Sequence, residues 1–599
     1  MSLQMISREV LDAIDLIWNN KFDAAELILI SKSNKIPRYC LHYAESAFLR
    51  SFITANENDT EAAMKRLKET RELAENTIKI LEANKTPPNF ETITTKEQFK
   101  NHLLDSKIVL ADASYMISVL QITRDHKFKG CLNLRKSWKI FEEALKQVKD
   151  DKNIHYDEGL LECLHFGAGF FFFAISIIPQ KFLKIVEFVG FKADRDLGLN
   201  YIKECSQKGG IRAPFATMVI LFNNLLLPRG LYNPVHQLKE AEELIVTNLQ
   251  KYPNGSLFQV MASHCYRKQC KIDLGLECML KAISNCQQLS RAPLIYKYEL
   301  ANCYCMLLNW DEAIKIFEEL VAEESFQIRA LCALQLASCY VQVGKKKEAM
   351  EMFSKIKIYS KKASSIDPII QRQSMRYLNG SSDFSAFEIM YIRRDLAKME
   401  RGMAEKSLAS LDEIAYRLSV GEKLNLTNSS SNSASNLFKS LLKKKDESQH
   451  EKNMEQLVND RSAYLLIKGS ILKGIDRIDE ALHCLDEIVQ MQNQITEKFY
   501  LPYCYYELSE CYFQKKNSIK SLECIHKCNN YSNYDWEDPL KVRIRVTLDQ
   551  LKKDGASGAD LNTDDDDCLN ASGEMQSALS HSSSNSDQSL VDNMENLTA

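Results

Sequence analysis

The chain has 599 residues but only 20 Gly and 12 Pro, about 5% together against a usual ~12%, so a turn-rich sandwich, barrel or propeller is excluded. Hydrophobic residues at 45% and charged residues at 26% exclude collagen-like and wholly disordered chains. The net charge of −3 joins unlike parts: residues 554–599 hold ten of the 80 acids and no Lys or Arg, leaving 77 basic against 70 acidic residues, or +7, before them. The first residues, MSLQMISREVLDAIDLIW, lack the basic-then-apolar order of a secretory signal and carry Glu9, Asp12 and Asp15 early, so a cytoplasmic chain is expected. Its 18 cysteines include no C-x-x-C pair. They read as buried free thiols, and no metal is expected.

Taken in chain order, Ala13, Leu16, Ala25 and Leu29 across WNNKFDAAE predict a loose helix–turn–helix pair. Residues 155–230 are different. Their apolar run from Leu164 to Ile178, stopped by Pro179, falls short of the ~20 residues that a bilayer span requires. Gly167, Ala168 and Gly169 predict close helix contact, and Phe170 to Phe173 predict a helix buried on all sides. A core helix is the expectation, with contact between 164–191 and a membrane surface as the competing reading. Further on, Asp194-Arg195 precedes DLGLNYIKE. Arg195 is a candidate ligand for a partner's carboxylate, against a plain ion pair or helix cap.

The clearest signal is a repeat. Leu300-Ala301, Tyr304, Ala313, Phe317 and Leu320 recur thirty-six residues later as Leu336-Ala337, Tyr340, Ala349, Phe353 and Ile356. Small alanines suit the closest approach of two antiparallel helices, and the rings fill the space beside them; this is the tetratricopeptide pattern. Weaker copies are Ser263, Tyr266, Gly275, Met279 and Ala282, then Gly469, Leu472, Ala481, Leu485 and Ile488, then Ser509, Tyr512, Ser521, Ile525 and Cys528. Such pairs bury their apolar faces only against neighbours, so they stack into a solenoid.

Residues 341–401 carry 13 Lys and Arg against 7 acids. Lys345, Lys346, Lys347, Arg393 and Arg394 are candidate partner-binding residues, for an anionic lipid surface or an acidic peptide; without interleaved aromatics, nucleic acid is not expected. The competing reading is solvated turns and helix ends. Residues 425–456 form a polar insertion. Within it Phe438, Leu441, Leu442, Lys443, Lys444 and Lys445 are a candidate membrane contact, apolar and basic together. In the acidic tail, Ser584 and Ser589 each precede an acid by three residues (Asp587 and Asp592) and are candidate phosphorylation sites. Opposite charge predicts that this tail docks on 341–401.

No G-x-x-x-x-G-K-[ST], G-x-S-x-G or H-E-x-x-H occurs, and the 11 histidines are scattered. No cofactor and no catalytic residue are expected. The blocks FKGCLNLRKSWKIFEEAL (128–145), HFGAGFFFFAISIIPQKFLKIVEFVGFKADRDLGLNYI (165–202), RAPFATMVIL (212–221), YPNGSLF (252–258) and KFYLPYCYYELSECYF (498–513) resemble the tetratricopeptide repeat protein 39 family. Its fungal branch is the outer-membrane or inclusion-body clearance protein. The resemblance spans roughly residues 5–552. It implies a non-enzymatic protein of cytosol and nucleus that binds protein or peptide partners, with some members peripheral to lipid droplets or the mitochondrial outer membrane. It also implies clearance of protein inclusions in the fungal branch, and ciliary or sterol-linked adaptor roles in animal branches.

The expected fold is therefore all-α, a tetratricopeptide-like solenoid with a central buried non-repeat helical block. The expected layout is N-terminal repeats over 1–150, the apolar block over 151–235, repeats over 236–424, the insertion over 425–456, further repeats over 457–552 and the tail over 553–599. The concave surfaces of the first helices of each pair are expected to hold the partner.

Overall fold

The computed structural model describes residues 6–553 apart from 125, 177–193, 229, 232–234, 287–288, 290–292, 362–363, 365, 381 and 427–446, and the side chains of 127, 419–453 and 552–553. Helices α1 (Arg8–Trp18) and α2 (Phe22–Ser33) form the loose first pair. Then come α3 (Pro37–Thr54), α4 (Glu57–Glu82), α5 (Lys96–Thr123) and α6 (Lys127–Asp150), of 18, 26, 28 and 24 residues. The apolar block is α7 (Glu158–Ser176), α8 (Arg195–Lys208) and α9 (Ala213–Leu225). Helix α10 (Val235–Lys251) leads into three regular pairs: α11 (Ser256–Lys268) with α12 (Ile272–Ser284), α13 (Leu294–Met306) with α14 (Trp310–Ala322), and α15 (Arg329–Gln342) with α16 (Lys346–Tyr359).

After these come α17 (Asp367–Asn379), the short α18 (Ser385–Ile392), a 3-10 turn at Leu396–Lys398, and α19 (Arg401–Leu426). Two further pairs close the series: α20 (Glu447–Gly474) with α21 (Ile478–Gln490), and α22 (Tyr500–Gln514) with α23 (Ser518–Asn529); α24 (Glu537–Lys553) follows them. No strand occurs among the described residues, and the all-α repeat fold stands. Helix α20 begins inside the stretch read as a polar insertion.

One turn recurs between the helices of a pair. Asn20, Cys270, Leu308, Gly344, Asp476 and Lys516 all have φ between 55° and 78°. The next amide reaches back to the carbonyl of Leu16, Tyr266, Tyr304, Tyr340, Leu472 or Tyr512, in each case at 2.9 Å. These six acceptors are the residues that the sequence periodicity aligned. The geometry satisfies a carbonyl at the helix end that would otherwise lack a donor. Only one of the six turns uses glycine; each other one carries a left-handed residue at a cost of about 1 kcal/mol. Caps mark the next start in two cases: Asn309 accepts from Glu312 N and Asn517 from Lys520 N, each worth about 1 kcal/mol. A seventh turn of the same form was not expected. The Asp395 amide bonds Met390 O at 2.9 Å, with Arg394 at φ 61°. Helix α18 is thus the first half of a truncated pair.

The predicted seams are buried: Ala301, Ala313, Phe317, Ala337 and Ala349 have no exposed surface, and Phe353 almost none. The close contact expected at the small residues of α7 is present as well. A Cβ on Gly198 would lie 2.8 Å from Gly169 O, so α7 and α8 touch backbone to backbone. Helix α7 runs from Glu158, beyond the apolar run, and reaches 19 residues; by length and composition it is able to cross a membrane. In the fold its Leu160, Cys163, Leu164, Phe171 and Phe173 are core residues. The competing contact over 164–191 falls largely on residues outside those described.

The first and last described helices pack against the middle of the chain. Trp18 packs edge-on to Phe215 at 5.0 Å, Asn20 donates to Asn285 O, and Tyr252 OH meets Asp15 at 3.1 Å. The first pair therefore stacks beside α11 and α12. At the other end a Cβ on Gly230 would lie 2.9 Å from Thr547 Cα, so α24 meets the segment that follows α9.

Candidate functional site

The sequence SAFEIMYI offers eight residues with a single charge, and in the structure Ser385 to Tyr391 are all buried. A short helix hidden on every side needs walls on every side, and the walls are the first helices α15, α20 and α22 together with the start of α14. Phe387 packs against Trp310, Phe384 against Tyr464, and Tyr391 against Tyr503. Ala397 lies against Gly474, where a Cβ would sit 3.1 Å from its backbone. The concave groove expected to receive a partner is thus filled by this chain's own residues 384–399. That corrects the expectation: the groove is closed by an internal segment.

Four charged groups of the segment, Glu388, Arg393, Arg394 and Asp395, are held by the groove. Burial acts to raise the Glu388 carboxyl, but Arg376, with Nη2 at 2.6 Å, outweighs it and holds the group below the usual range. Tyr377 and Tyr500 also donate to Glu388. One turn onward, Asp395 and Glu299 share Arg267 and Arg393: Arg393 to Asp395 is 2.9 Å and Arg267 to Glu299 is 2.6 Å. Against burial, Arg267 holds Glu299 down to about 2. Arg394 donates to both oxygens of Glu510 at 2.8 and 3.0 Å, and Lys473 bridges Glu507 and Glu510. His264 lines the same groove; burial lowers it to about 4, so it is neutral at pH 7.

Arg393 and Arg394, expected as partner ligands, are therefore spent on internal pairs. The physical reason is the truncated turn: it aims Arg-Arg-Asp into the groove, where Glu299, Glu507 and Glu510 wait. By contrast Lys345, Lys346 and Lys347 are exposed on the α15–α16 turn, with Lys346 3.6 Å from Asp383. Arg195 is exposed and donates to Asn223 at 2.7 Å, while Asp194 caps α8 by accepting from Leu197 N. Phe438, Leu441, Leu442, Lys443, Lys444, Lys445, Ser584 and Ser589 lie outside the described residues.

Sequence reasoning missed Glu388, Asp395, Arg267, Glu299 and Lys398. The usable signal was an apolar octamer with one central acid, followed by Arg-Arg-Asp. A second ionic site was missed too. Arg212, with 1% of its side chain exposed, meets Glu45 and Asp112 at 2.5 Å each, and Arg38 pairs with Asp105. Burial pushes Asp112 up, while on Glu45 Arg212 overcomes burial and holds the carboxyl down to about 2. Among the described residues, no cluster of three His, Cys, Asp or Glu is placed to hold a metal. Seventeen cysteines are free thiols, and of these only Cys270 is not buried.

Stacked antiparallel pairs, a shared turn and a groove on the first helices define a tetratricopeptide-type helical-repeat scaffold. Residues 11–475 match the family described as Iml2/Tetratricopeptide repeat protein 39, and the chain belongs to that family. Fold and family are those of a protein-binding scaffold. Among solved structures, human IFIT1 as a dimer with PPP-AAAA is 14% identical, with a TM-score of 0.30 over 82% of this chain and 96% of that one. Yeast Tom70 is 11% identical, with a TM-score of 0.26 over 92% and 96%.

Proposed function

We propose that the chain is a non-catalytic adaptor that holds protein partners on its outer surface and turns rather than in its concave groove. The observation that carries this reading is the buried segment 384–399, whose Glu388, Arg393, Arg394 and Asp395 are paired with charged groups of the groove walls. A groove already filled this way exchanges many internal pairs for any entering peptide, which costs more than contact at an exposed turn. Lys345, Lys346 and Lys347 are the exposed cations on one such turn, suited to an acidic stretch of a partner protein.

The family resemblance supplies the setting: the cytoplasm, with peripheral association at lipid droplets or the mitochondrial outer membrane, and a part in clearing protein inclusions. The test is proximity labelling in cells with the full chain and with Lys345→Glu, Lys346→Glu and Lys347→Glu combined, followed by binding of the recovered partner in purified form. Partner loss in the triple variant, with an unchanged melting curve, is the expected result. Equal binding by both proteins, and loss only when the groove is altered at Glu388, would return the partner to the groove.

A further inference from the structure

Four first helices place a cysteine directly before the tyrosine of the repeat: Cys265, Cys303, Cys339 and Cys511. All four are buried, and a thiol at such a seam packs as a small apolar side chain. Two residues further on, the same helices carry Arg267, Cys305, Val341 and Phe513, so one of the four adds a second sulfur. Cys303 is turned toward the preceding repeat, its Sγ 3.9 Å from Ser263 Oγ. Cys305 is turned toward the following repeat, its Sγ 3.9 Å from Cys339 Sγ. Cys305 on α13 and Cys339 on α15 are thus two thiols of consecutive repeats in direct contact, 4% and 2% exposed. Among the described residues no other two thiols meet in this way.

The contact with Cys305 first, and burial next, hold the Cys339 thiol well above its usual range. The closed seam therefore keeps a thiol and little reactive thiolate, and oxidation falls in the moments when the seam parts. The closed separation then decides the product. A sulfenic acid formed on one sulfur is brought back against the other thiol on closing, with further oxidant shut out. From 3.9 Å, about 1.9 Å of further approach completes a disulfide bond of about 2.05 Å.

The two helices concerned also hold the segment that fills the groove. Tyr298 OH on α13 accepts from Arg393 at 2.7 Å, and Gln342 at the end of α15 donates to Asp383 O at 2.9 Å. The segment leaves the groove only by giving up both contacts.

We propose that Cys305 and Cys339 are an oxidative modification site, which a hydroperoxide converts to a disulfide that fastens α13 to α15 and restrains residues 384–399 in the groove. One sulfur, as thiolate, attacks the peroxide. The O–O bond breaks to give a sulfenic acid, and the hydroxide or alkoxide released takes up the proton that this thiol had lost. The second sulfur attacks the sulfenic sulfur, the S–O bond breaks, and hydroxide departs with the second thiol's proton as water. Two thiols have then lost two electrons and one hydroperoxide has gained them. Neither step involves the partner proposed for the outer turns.

The experiment treats reduced full-length protein with hydrogen peroxide at neutral pH without denaturant, blocks the remaining thiols, and reads unreduced tryptic peptides by mass spectrometry. Peptides 298–315 and 330–345 should be joined. Each holds a second cysteine, Cys303 or Cys332, so variants assign the bond. The joined peptide should fall about tenfold in Cys305→Ser and in Cys339→Ser, and persist in Cys303→Ser and Cys332→Ser. Cys305→Val, which copies Val341 of the next repeat, keeps the seam apolar and should lower it equally. Hydrogen exchange across 384–399 should slow about threefold in the bridged protein and recover with dithiothreitol.

Joined peptides that survive in Cys305→Ser and Cys305→Val, or that form only in urea, would overturn the proposal. So would both cysteines remaining free thiols after peroxide, which would make the contact one of packing alone. A bridge that left exchange across 384–399 unchanged would overturn its hold on the groove segment.

Discussion

The two buried ionic sites differ in how they are closed. Around Arg212 the side chains of His42, Glu45 and Asp112 are almost wholly hidden, and two arginines face three carboxylates. In the groove the pairs are less deeply set, with 19% of the Arg393 side chain and 27% of that of Arg394 exposed. A sealed site near balance locks long helices together and asks nothing of solvent. A half-open site keeps part of its charge in contact with solvent. The comparison teaches that burial and charge balance must be read together before an ion cluster is called structural.

The largest effect that would sharpen this contrast is expected from Arg212→Ala. It strands Glu45 and Asp112 in the core, and stranding a buried partner costs about 3–5 kcal/mol. Hydrogen exchange should then rise throughout α3, α5 and α9 while α22 keeps its protection; equal loss in both regions would break the division. Next comes Glu388→Ala, which leaves Arg376 without its closest carboxylate and should cost about 2–4 kcal/mol. Faster exchange is expected in α18, while α5 remains unchanged.

Acid should act on both sites with the same sign. His264 lies at about 4 in the fold, so the unfolded chain takes its proton first as pH falls below about 6.5. Stability present above that pH is lost progressively on the way to 4. Glu45 and Glu299, both held at about 2, add a second loss from about pH 4.5 downward. The urea-midpoint advantage of the wild type over His264→Gln should shrink from pH 7 to pH 4; growth of that advantage on acidification would contradict the assigned direction.

Asp460 works in the opposite sense. Burial raises it to about 7, so its ionisation opposes folding as pH increases. Asp460→Asn should therefore raise the melting temperature by a few degrees at pH 8 and have little effect near pH 5. The smallest change is Gly344→Ala. Its added methyl meets no atom within 4 Å, so only the left-handed φ is penalised, by about 1 kcal/mol.

Legibility followed locality. Ala301, Ala313, Phe317 and their copies are set by the spacing of one helix pair, and the sequence showed them directly. Gly169 was readable because a missing side chain has few uses inside an apolar helix. Arg393 and Arg394 were misread because a cation's partner is a tertiary fact: Glu299 and Glu510 stand about a hundred residues away on either side. The groove's occupant escaped for a related reason. SAFEIMYI has no small-residue seam, since it is enclosed by several helices instead of paired with one.

The cysteines give the stack a further property. Sixteen of the seventeen described thiols are shut between helices, and Cys270, in an inter-helix turn, is the exception. Burial also raises the pKa of nearly all of them; Cys265 and Cys278, for example, go to about 11, so little reactive thiolate forms while the seams stay shut. Alkylation must wait for a seam to part. The order in which Cys163, Cys303, Cys332 and Cys504 become labelled after Cys270 is therefore a clock, written along the chain, of which layer of the stack comes open first.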